Sequence, residues 1–255
     1  MTHRTLVVIP TYDERDNLEP LLGRIHASVG EADVLVVDDN SPDDTGALAQ
    51  RLAADRAWLH VLHRPGKQGL GVAYLAGYGW GLAHGYDVFV QLDADLSHLP
   101  EQIPDLLAAL HSGGGADLVI GTRWMPGGRV ENWPRYRELL SRGGNRYTRI
   151  VLGLPLRDAT GGFRALRRQV LERLDLHEIA SAGYCFQVDL ARRAVAAGCC
   201  VREVPIRFVE RTRGESKMSG AVVRESLWRI SAWGARYRMT RLRDVLWRHP
   251  DRRSR

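Results

Sequence analysis

The sequence of 255 residues predicts an α/β fold with a mostly parallel sheet flanked by helices. Short apolar runs of strand length recur at Thr5–Ile9, Val34–Val37, Trp58–Leu62, Val88–Leu92 and Leu118–Ile120. Helix-length stretches separate them, which is the pattern of right-handed βαβ units. The runs end in polar clusters, as strands do at the ligand-binding edge of an open α/β sheet.

Taken in order, the first helix is expected over Asn17–Val29, with Asp16 or Asn17 as its cap. Pro42 and Asp43-Asp44-Thr45 open a second over Asp44–Ala54. Two more follow, at Leu70–His84 and Glu101–His111, and Gly113-Gly114-Gly115 forms a loop before the fifth strand. Residues 122–165 are rich in Gly, Arg, Trp and Pro, with a helix expected at Arg135–Leu152. A helix at Phe186–Ala197 precedes a strand at Val201–Val209, which Pro205 marks as an edge strand. A long helix starts near Gly220, so the organisation expected is one domain over 1–222 and a basic amphipathic segment over 223–255.

No stretch of 18 apolar residues occurs, so no membrane-spanning helix is expected, and the short run Leu6–Ile9 does not read as a signal peptide. The three cysteines, Cys185, Cys199 and Cys200, form neither a disulfide framework nor a zinc spacing. This fits a reducing compartment. The formal net charge of +6 is unevenly placed: residues 224–255 carry ten arginines against Glu225, Asp244 and Asp251, leaving the rest near neutrality at −1. A near-neutral body argues against a nucleic-acid-binding protein. The basic tail interleaves Trp228, Trp233, Tyr237 and Trp247 with arginine, a mixture suited to a lipid headgroup zone or to docking on a partner.

The run Val88–Leu92 ends in Asp93-Ala94-Asp95-Leu96-Ser97-His98. Two carboxylates one residue apart at a strand end repel each other unless a cation compensates them, and hard oxygen donors suit Mg²⁺ or Mn²⁺ held jointly with a substrate phosphate. The same residues also fit a solvated turn. The other strand ends bear on the choice: Thr11-Tyr12-Asp13-Glu14, Asp38-Asp39-Asn40-Ser41 and Gly121-Thr122-Arg123 converge on one edge, giving an acidic pocket with Arg123 at its rim. A nucleotide fits such a pocket, with Tyr12 against the base, Asp39 accepting hydrogen bonds and Asp95 holding a metal on the diphosphate. G-x-G-x-x-G is absent after the first strand, so a dinucleotide fingerprint is missing.

An ordered set of motifs spans residues 5–220: V-I-P-T-Y-D-E-R-D-N-L (8–18), V-V-D-D-N-S-P-D-D-T (36–45), R-P-G-K-Q-G-L-G-V-A-Y (64–74), Q-L-D-A-D-L-S-H (91–98), G-T-R (121–123), W-P-x-x-R-x-x-x-S-R-G-x-N (133–145), D-x-T-G-G-F-R (158–164) and R-x-x-G-E-S-K-M (211–218). In these the chain resembles the family 2 inverting glycosyltransferases of GT-A fold, and among them the polyprenyl-phosphate β-mannosyltransferases. The resemblance implies that Pro10, Tyr12, Glu14, Val37 and Asp39 bind the guanosine of GDP-mannose, with Lys67 on a neighbouring loop. It implies that Ala94 and Asp95 meet the diphosphate, that Asp93, Asp95 and Ser97 surround Mg²⁺ or Mn²⁺, and that Arg123, Arg129, Arg211 and Lys217 hold phosphates. The catalytic set implied is Asp93, Asp95, Arg123, Arg211 and Lys217. Some relatives have Gln where this chain has Ser97.

The activity implied is transfer of mannose, with inversion, from GDP-mannose to a polyprenyl phosphate. The place implied is the cytoplasmic face of a membrane, with a peripheral protein that has no nucleic acid partner and docks on lipid or on a membrane-anchored protein. Two other readings use the same residues: a UDP-glucose-dependent glucosyltransferase, and a non-catalytic nucleotide-sugar-binding subunit.

Overall fold

The computed structural model of the chain describes residues 3–179, 184–211, 224, 226–236 and 239. Its strands are β1 (Thr5–Thr11), β2 (Asp33–Asp38), β3 (Leu59–His63), β4 (Val88–Gln91), β5 (Leu118–Thr122), β6 (Arg129–Glu131), β7 (Arg164–Arg167), β8 (Val201–Pro205) and β9 (Arg207–Val209). Its helices are α1 (Arg15–Ser28), α2 (Thr45–Ala54), α3 (Leu70–Ala83), α4 (Ile103–His111), α5 (Arg135–Leu152), α6 (Arg168–Arg173) and α7 (Tyr184–Ala196). Seven strands form one sheet in the order β3-β2-β1-β4-β7-β5-β8. All its pairings are parallel except those of β7, which runs antiparallel between β4 and β5.

The expected α/β architecture is therefore the observed one. Residues 6–9 of β1 are all fully buried, because both faces of the sheet are covered. Leu6 and Val8 join α3 and α7 in one core, whereas Val7 and Ile9 join α1 and α4 in the other. On α3, Gly77 and Gly81 face the sheet: a Cβ at Gly81 would lie 2.4 Å from Phe89 Cε1 and 2.7 Å from Leu6 Cδ2. The two glycines bring the helix axis close over β1 and β4.

The structure corrects several expectations. The strand Val201–Val209 divides in two. Pro205 lacks the N–H that would continue the ladder, and the chain turns at Ile206, whose N–H donates to Thr122 O (3.0 Å) while its carbonyl accepts from Arg129 N (3.0 Å). Thus β8 closes the large sheet as an edge strand, and β9 pairs in parallel with β6 in a separate two-stranded sheet. Neither β6 nor β7 stands out in the sequence. The first helix begins at Arg15, and Glu14 is its cap: the Glu14 carbonyl accepts from the N–H groups of Asn17 and Leu18, both at 3.0 Å. Neither Asp16 nor Asn17 caps it. Helix α5 occupies the span expected.

The boundary expected at 222/223 lies outside the described residues, as does the helix beyond 239. Within the described part, residues 226–236 are helical and lie against α5. Ile230 is buried in the core beside Leu152, and Tyr147 and Ser231 share a hydrogen bond of 2.7 Å.

Replacing Gly81 by Ala forces Phe89 or the α3 backbone to move, and overpacking of this kind costs about 1–3 kcal/mol. Urea unfolding of Gly81→Ala should show that loss with an unchanged m-value; a stability equal to the parent would contradict the close packing described.

Candidate active site at the carboxyl edge of the sheet

The parallel strands β2, β1, β4 and β5 end on one edge. Antiparallel β7 begins there, so the loop leading into it, residues 158–163, joins the same edge. A cavity of about 270 Å³ opens along it. Pro10, Tyr12 and Glu14 line it from β1 and Asp39 from β2. Asp93, Ala94 and Asp95 line it from the end of β4, Lys67 and Gly69 from the loop before α3, Ala73 from the first turn of α3, and Thr160, Gly162, Gln187 and Arg211 from the far side.

Each acidic strand end turns sharply on a left-handed residue: Asp13 (φ 58°), Asn40 (φ 57°) and Leu96 (φ 62°). Asp and Asn tolerate that conformation; for Leu it costs about 1–2 kcal/mol, strain held at the mouth of the cavity.

Adjacent carboxylates divide their tasks. Asp38 is buried and structural: its Oδ1 accepts from Thr11 Oγ1 (3.0 Å) and Ser41 Oγ (2.6 Å), and its Oδ2 from Ser41 N (3.2 Å). Asp39 reaches the cavity and is paired with the Arg64 guanidinium, which also donates to Gln68 Oε1 at 2.9 Å. Burial pushes the Asp39 carboxyl above its ordinary range, and Arg64 opposes that rise. Opposite, the Lys67 ammonium lies 3.8 Å from the centre of the Tyr12 ring.

Asp93 Oδ1 accepts from the Tyr74 hydroxyl (2.9 Å), and its backbone N–H donates to His98 Nδ1 (3.4 Å). Burial, with the Asp93 charge added, holds the Tyr74 phenol well above its usual range, so it stays a donor. His98 is buried between Phe163 and Phe208, and burial holds its imidazole below its ordinary range. Asp95 Oδ1 accepts from Ser97 N (3.1 Å), and its Oδ2 lies 3.3 Å from Arg211 Nη2.

Behind the cavity, the motif over residues 158–164 becomes a set of constraints. Asp158 is fully buried and accepts from Arg123 Nε and Nη2, both at 2.7 Å, and from Asn145 Nδ2 at 3.1 Å. Thr160 Oγ1 accepts from Asn145 Nδ2 (3.0 Å) and donates to Asp158 Oδ1 (3.1 Å). A Cβ at Gly161 would stand 2.9 Å from the Gly121 carbonyl, so only glycine passes there. Arg164, also fully buried, donates through Nε to Gly161 O and through Nη2 to Ala159 O, both at 2.8 Å. Burial lowers its guanidinium from 12.5 to about 10.

The cavity thus brings together Pro10, Tyr12, Glu14, Asp39, Lys67, Asp93, Ala94, Asp95 and Arg211 of the residues singled out in the sequence. It does not bring the others to its wall. Val37 is a core residue under Gly77, and Ser97 is buried, meeting Asp95 through its backbone. Arg123 pairs with Asp158 behind Thr160. Arg129 sits on β6 with a half-exposed side chain bonded to Glu131 at 2.8 Å. Lys217 lies outside the described residues. Thr160, Gly162 and Gln187 were not singled out; the D-x-T-G-G-F-R motif signals the first two, and nothing local in the sequence signals the third.

A Rossmann-like sheet with one inserted antiparallel strand and an acidic carboxyl edge is the GT-A class of fold. The structure of glucosyl-3-phosphoglycerate synthase from Mycobacterium tuberculosis, in complex with Mn²⁺ and uridine-diphosphate-glucose, shares it. The TM-score is 0.64 at 21% identity, over 91% of this chain and 77% of that one. Residues 6–175 match the glycosyl transferase family 2 profile, and the chain belongs to that family. It is 53% identical over 246 residues to the polyprenol monophosphomannose synthase of Mycolicibacterium smegmatis, covering 96% of this chain and 92% of that one. It is 52% identical to the undecaprenyl-phosphate mannosyltransferase of Micrococcus luteus, over 95% and 99% of the two chains. The dolichol-phosphate mannosyltransferase of Pyrococcus furiosus is 40% identical over 89% of this chain and 63% of that one. The chain is a glycosyltransferase.

Although burial pushes the Asp158 carboxyl up, the Arg123 guanidinium outweighs it and holds the carboxyl below its ordinary value of 3.8. Because the folded-state pKa is depressed, the pair's contribution is fully present above the unfolded value and is lost as pH falls through the folded one. Asp158→Ala, which leaves Arg123 buried without that partner, should cost about 3–5 kcal/mol at pH 7. The gap between parent and variant should narrow below pH 4 in denaturant titrations; a gap independent of pH would contradict the charged pair.

Proposed function

We propose that the protein transfers mannose from GDP-α-D-mannose to a polyprenyl monophosphate, giving a β-mannosyl phosphoryl polyprenol. The observation that carries this is the identity of 52–53%, over more than nine-tenths of both chains, to relatives named for polyprenol or undecaprenyl-phosphate mannosyl transfer. A lining that combines carboxylates with Lys67 and Arg211 supports a donor bearing both a nucleoside and a diphosphate.

In this reading Tyr12 lies beside the guanine with Lys67 close by, and Asp39, braced by Arg64, accepts hydrogen bonds from the nucleoside. Asp93 and Asp95 supply hard oxygen donors for Mg²⁺ or Mn²⁺. Among the described residues no cluster of three or more His, Cys, Asp or Glu suited to a metal occurs, so an ion held by Asp93 and Asp95 would need further oxygen donors from the substrate. The Arg211 guanidinium against Asp95 shows that this carboxylate already takes a cationic partner. When bound, the divalent ion offsets the negative charge that grows on the departing GDP.

The acceptor is a phosphate monoester, an oxyanion near neutral pH, so its oxygen attacks the anomeric carbon without a general base. The new C–O bond forms on the face opposite the breaking bond to the diphosphate, which turns the α-linked donor into a β-linked product. Arg211, at the cavity wall, and Lys217, which lies outside the described residues, are assigned to the phosphates of donor or acceptor. Arg123 supports Thr160 at the cavity wall.

A lipid acceptor places the protein on a membrane surface. No helix among the described residues is long and apolar enough to cross a membrane. Helix α5, however, exposes Tyr136, Leu139, Leu140 and Ile150 among arginines, and the helical segment 226–236 exposes Leu227 and Trp228. These suit the headgroup zone at the cytoplasmic face, and the basic segment 223–255 extends the same chemistry.

The test is to supply purified protein, polyprenyl phosphate and Mn²⁺ with radiolabelled GDP-mannose or UDP-glucose. Lipid-extractable label should appear from GDP-mannose; label from UDP-glucose alone would overturn the donor assignment. Asp95→Ala should lower transfer about 10²-fold or more with an unchanged circular dichroism spectrum. Full activity in that variant would refute the role given to the carboxylate.

A further inference from the structure

We infer that Gln187 reads a hydroxyl of the donor's hexosyl ring and so sets sugar specificity, an inference that rests on the nucleotide-sugar reading above. Gln187 stands on α7, is 2% exposed and lines the cavity, yet neither its Oε1 nor its Nε2 has a hydrogen-bond partner. A buried amide with both atoms unpaired destabilises the fold, and native proteins keep few of them. Such a group at a cavity wall is explained when a ligand completes it.

Gly162 defines the spot. A Cβ there would lie 3.5 Å from Gln187 Nε2 and 3.3 Å from Asp93 Oδ2. The Gln187 amide and the Asp93 carboxylate, with His98 Cε1 also 3.5 Å from that point, therefore flank one station of the cavity wall, at Gly162, where glycine leaves no side chain in the way. A hydroxyl suits it, since it can donate to the carboxylate and meet the amide in either amide orientation. A phosphate oxygen does not, because Asp93 would repel it and the cavity's cations are placed elsewhere: Lys67 over Tyr12, and Arg211 against Asp95.

The strand order agrees. Along the edge, β2 and β1 bring Asp39 and Tyr12, β4 brings Asp93 and Asp95, and the loop entering β7 brings Gly162. A nucleoside at the first station and a diphosphate at the second leave the sugar at the third, beside Gln187.

The experiment uses the full chain with Mn²⁺ and the variant Gln187→Met, which keeps the side-chain length and removes both polar atoms. The dissociation constants for GDP and GDP-mannose, kcat/KM for GDP-mannose and its monodeoxy analogues, and Tm are measured. GDP binding should stay within about twofold, while kcat/KM for GDP-mannose falls about tenfold or more. One deoxy donor should lose a comparable factor with the parent enzyme and nothing further with the variant. Tm should be equal or higher, since an unpaired buried amide is gone; a structural glutamine would lower it.

Equal deoxy losses in both proteins at every position, or GDP and GDP-mannose weakened alike, would overturn the inference. Gly162→Ala provides a check that leaves the amide in place: its methyl group should impair GDP-mannose turnover while GDP binding persists, and unchanged turnover would also overturn it. A parent enzyme that uses UDP-glucose and not GDP-mannose would refute the donor reading alone. The same cycle run on UDP-glucose and its deoxy analogues would then decide the role of Gln187.

Discussion

A guanidinium with no exposure holds the reactive edge in place. Arg164 opens the one antiparallel strand of the sheet and reaches back to the carbonyls of Ala159 and Gly161, folding residues 158–163 into a tight return. Burying that charge is costly. The carbonyl bonds offset part of the cost, and the Tyr78, Asp158 and Tyr74 environment favours the charged form. With its pKa lowered only to about 10, the group stays charged at neutral pH. The return it creates carries Asp158 to Arg123 and Asn145 on one side, and Thr160 and Gly162 to the cavity on the other. Without an antiparallel strand starting at the carboxyl edge, this loop would lie at the opposite end of the sheet.

The cavity is acidic and basic at once, and its charges are arranged in pairs. Asp39 is braced by Arg64, Asp95 by Arg211, and Asp93 Oδ1 accepts from the Tyr74 phenol. Carboxylates so close together would repel one another in an apolar pocket; each is instead held by a donor that fixes its direction. Asp38, one residue from Asp39, spends its acceptor capacity on Thr11 and Ser41 and stabilises the turn. One acid in that pair is used within the fold, and the other reaches the cavity.

Much of this was legible in the sequence. Alternating apolar runs located β1 to β5, because strands buried on both faces leave unbroken hydrophobic stretches, and the acidic strand ends located the cavity. What escaped has a physical reason. Strand β7 is four residues long, begins and ends in arginine, and is a strand only because β4 and β5 leave a gap for it. The break at Ile206 depends on Thr122 and Arg129, far away in the chain. Arg123 reads as a phosphate ligand until Asp158 appears beside it. Gln187 carries no local signal, since only tertiary packing shows that its amide lacks a partner.

In the function proposed, the ends of β2, β1 and β4 and the loop before β7 form a single track, in the order nucleoside, diphosphate, sugar. A crystal structure with GDP-mannose and Mn²⁺ bound tests that claim most directly. Guanosine should lie between Tyr12 and Asp39, with the diphosphate over Asp93 and Asp95. A nucleoside bound at the Thr160 side of the cavity, or a diphosphate held away from both carboxylates, would contradict the account.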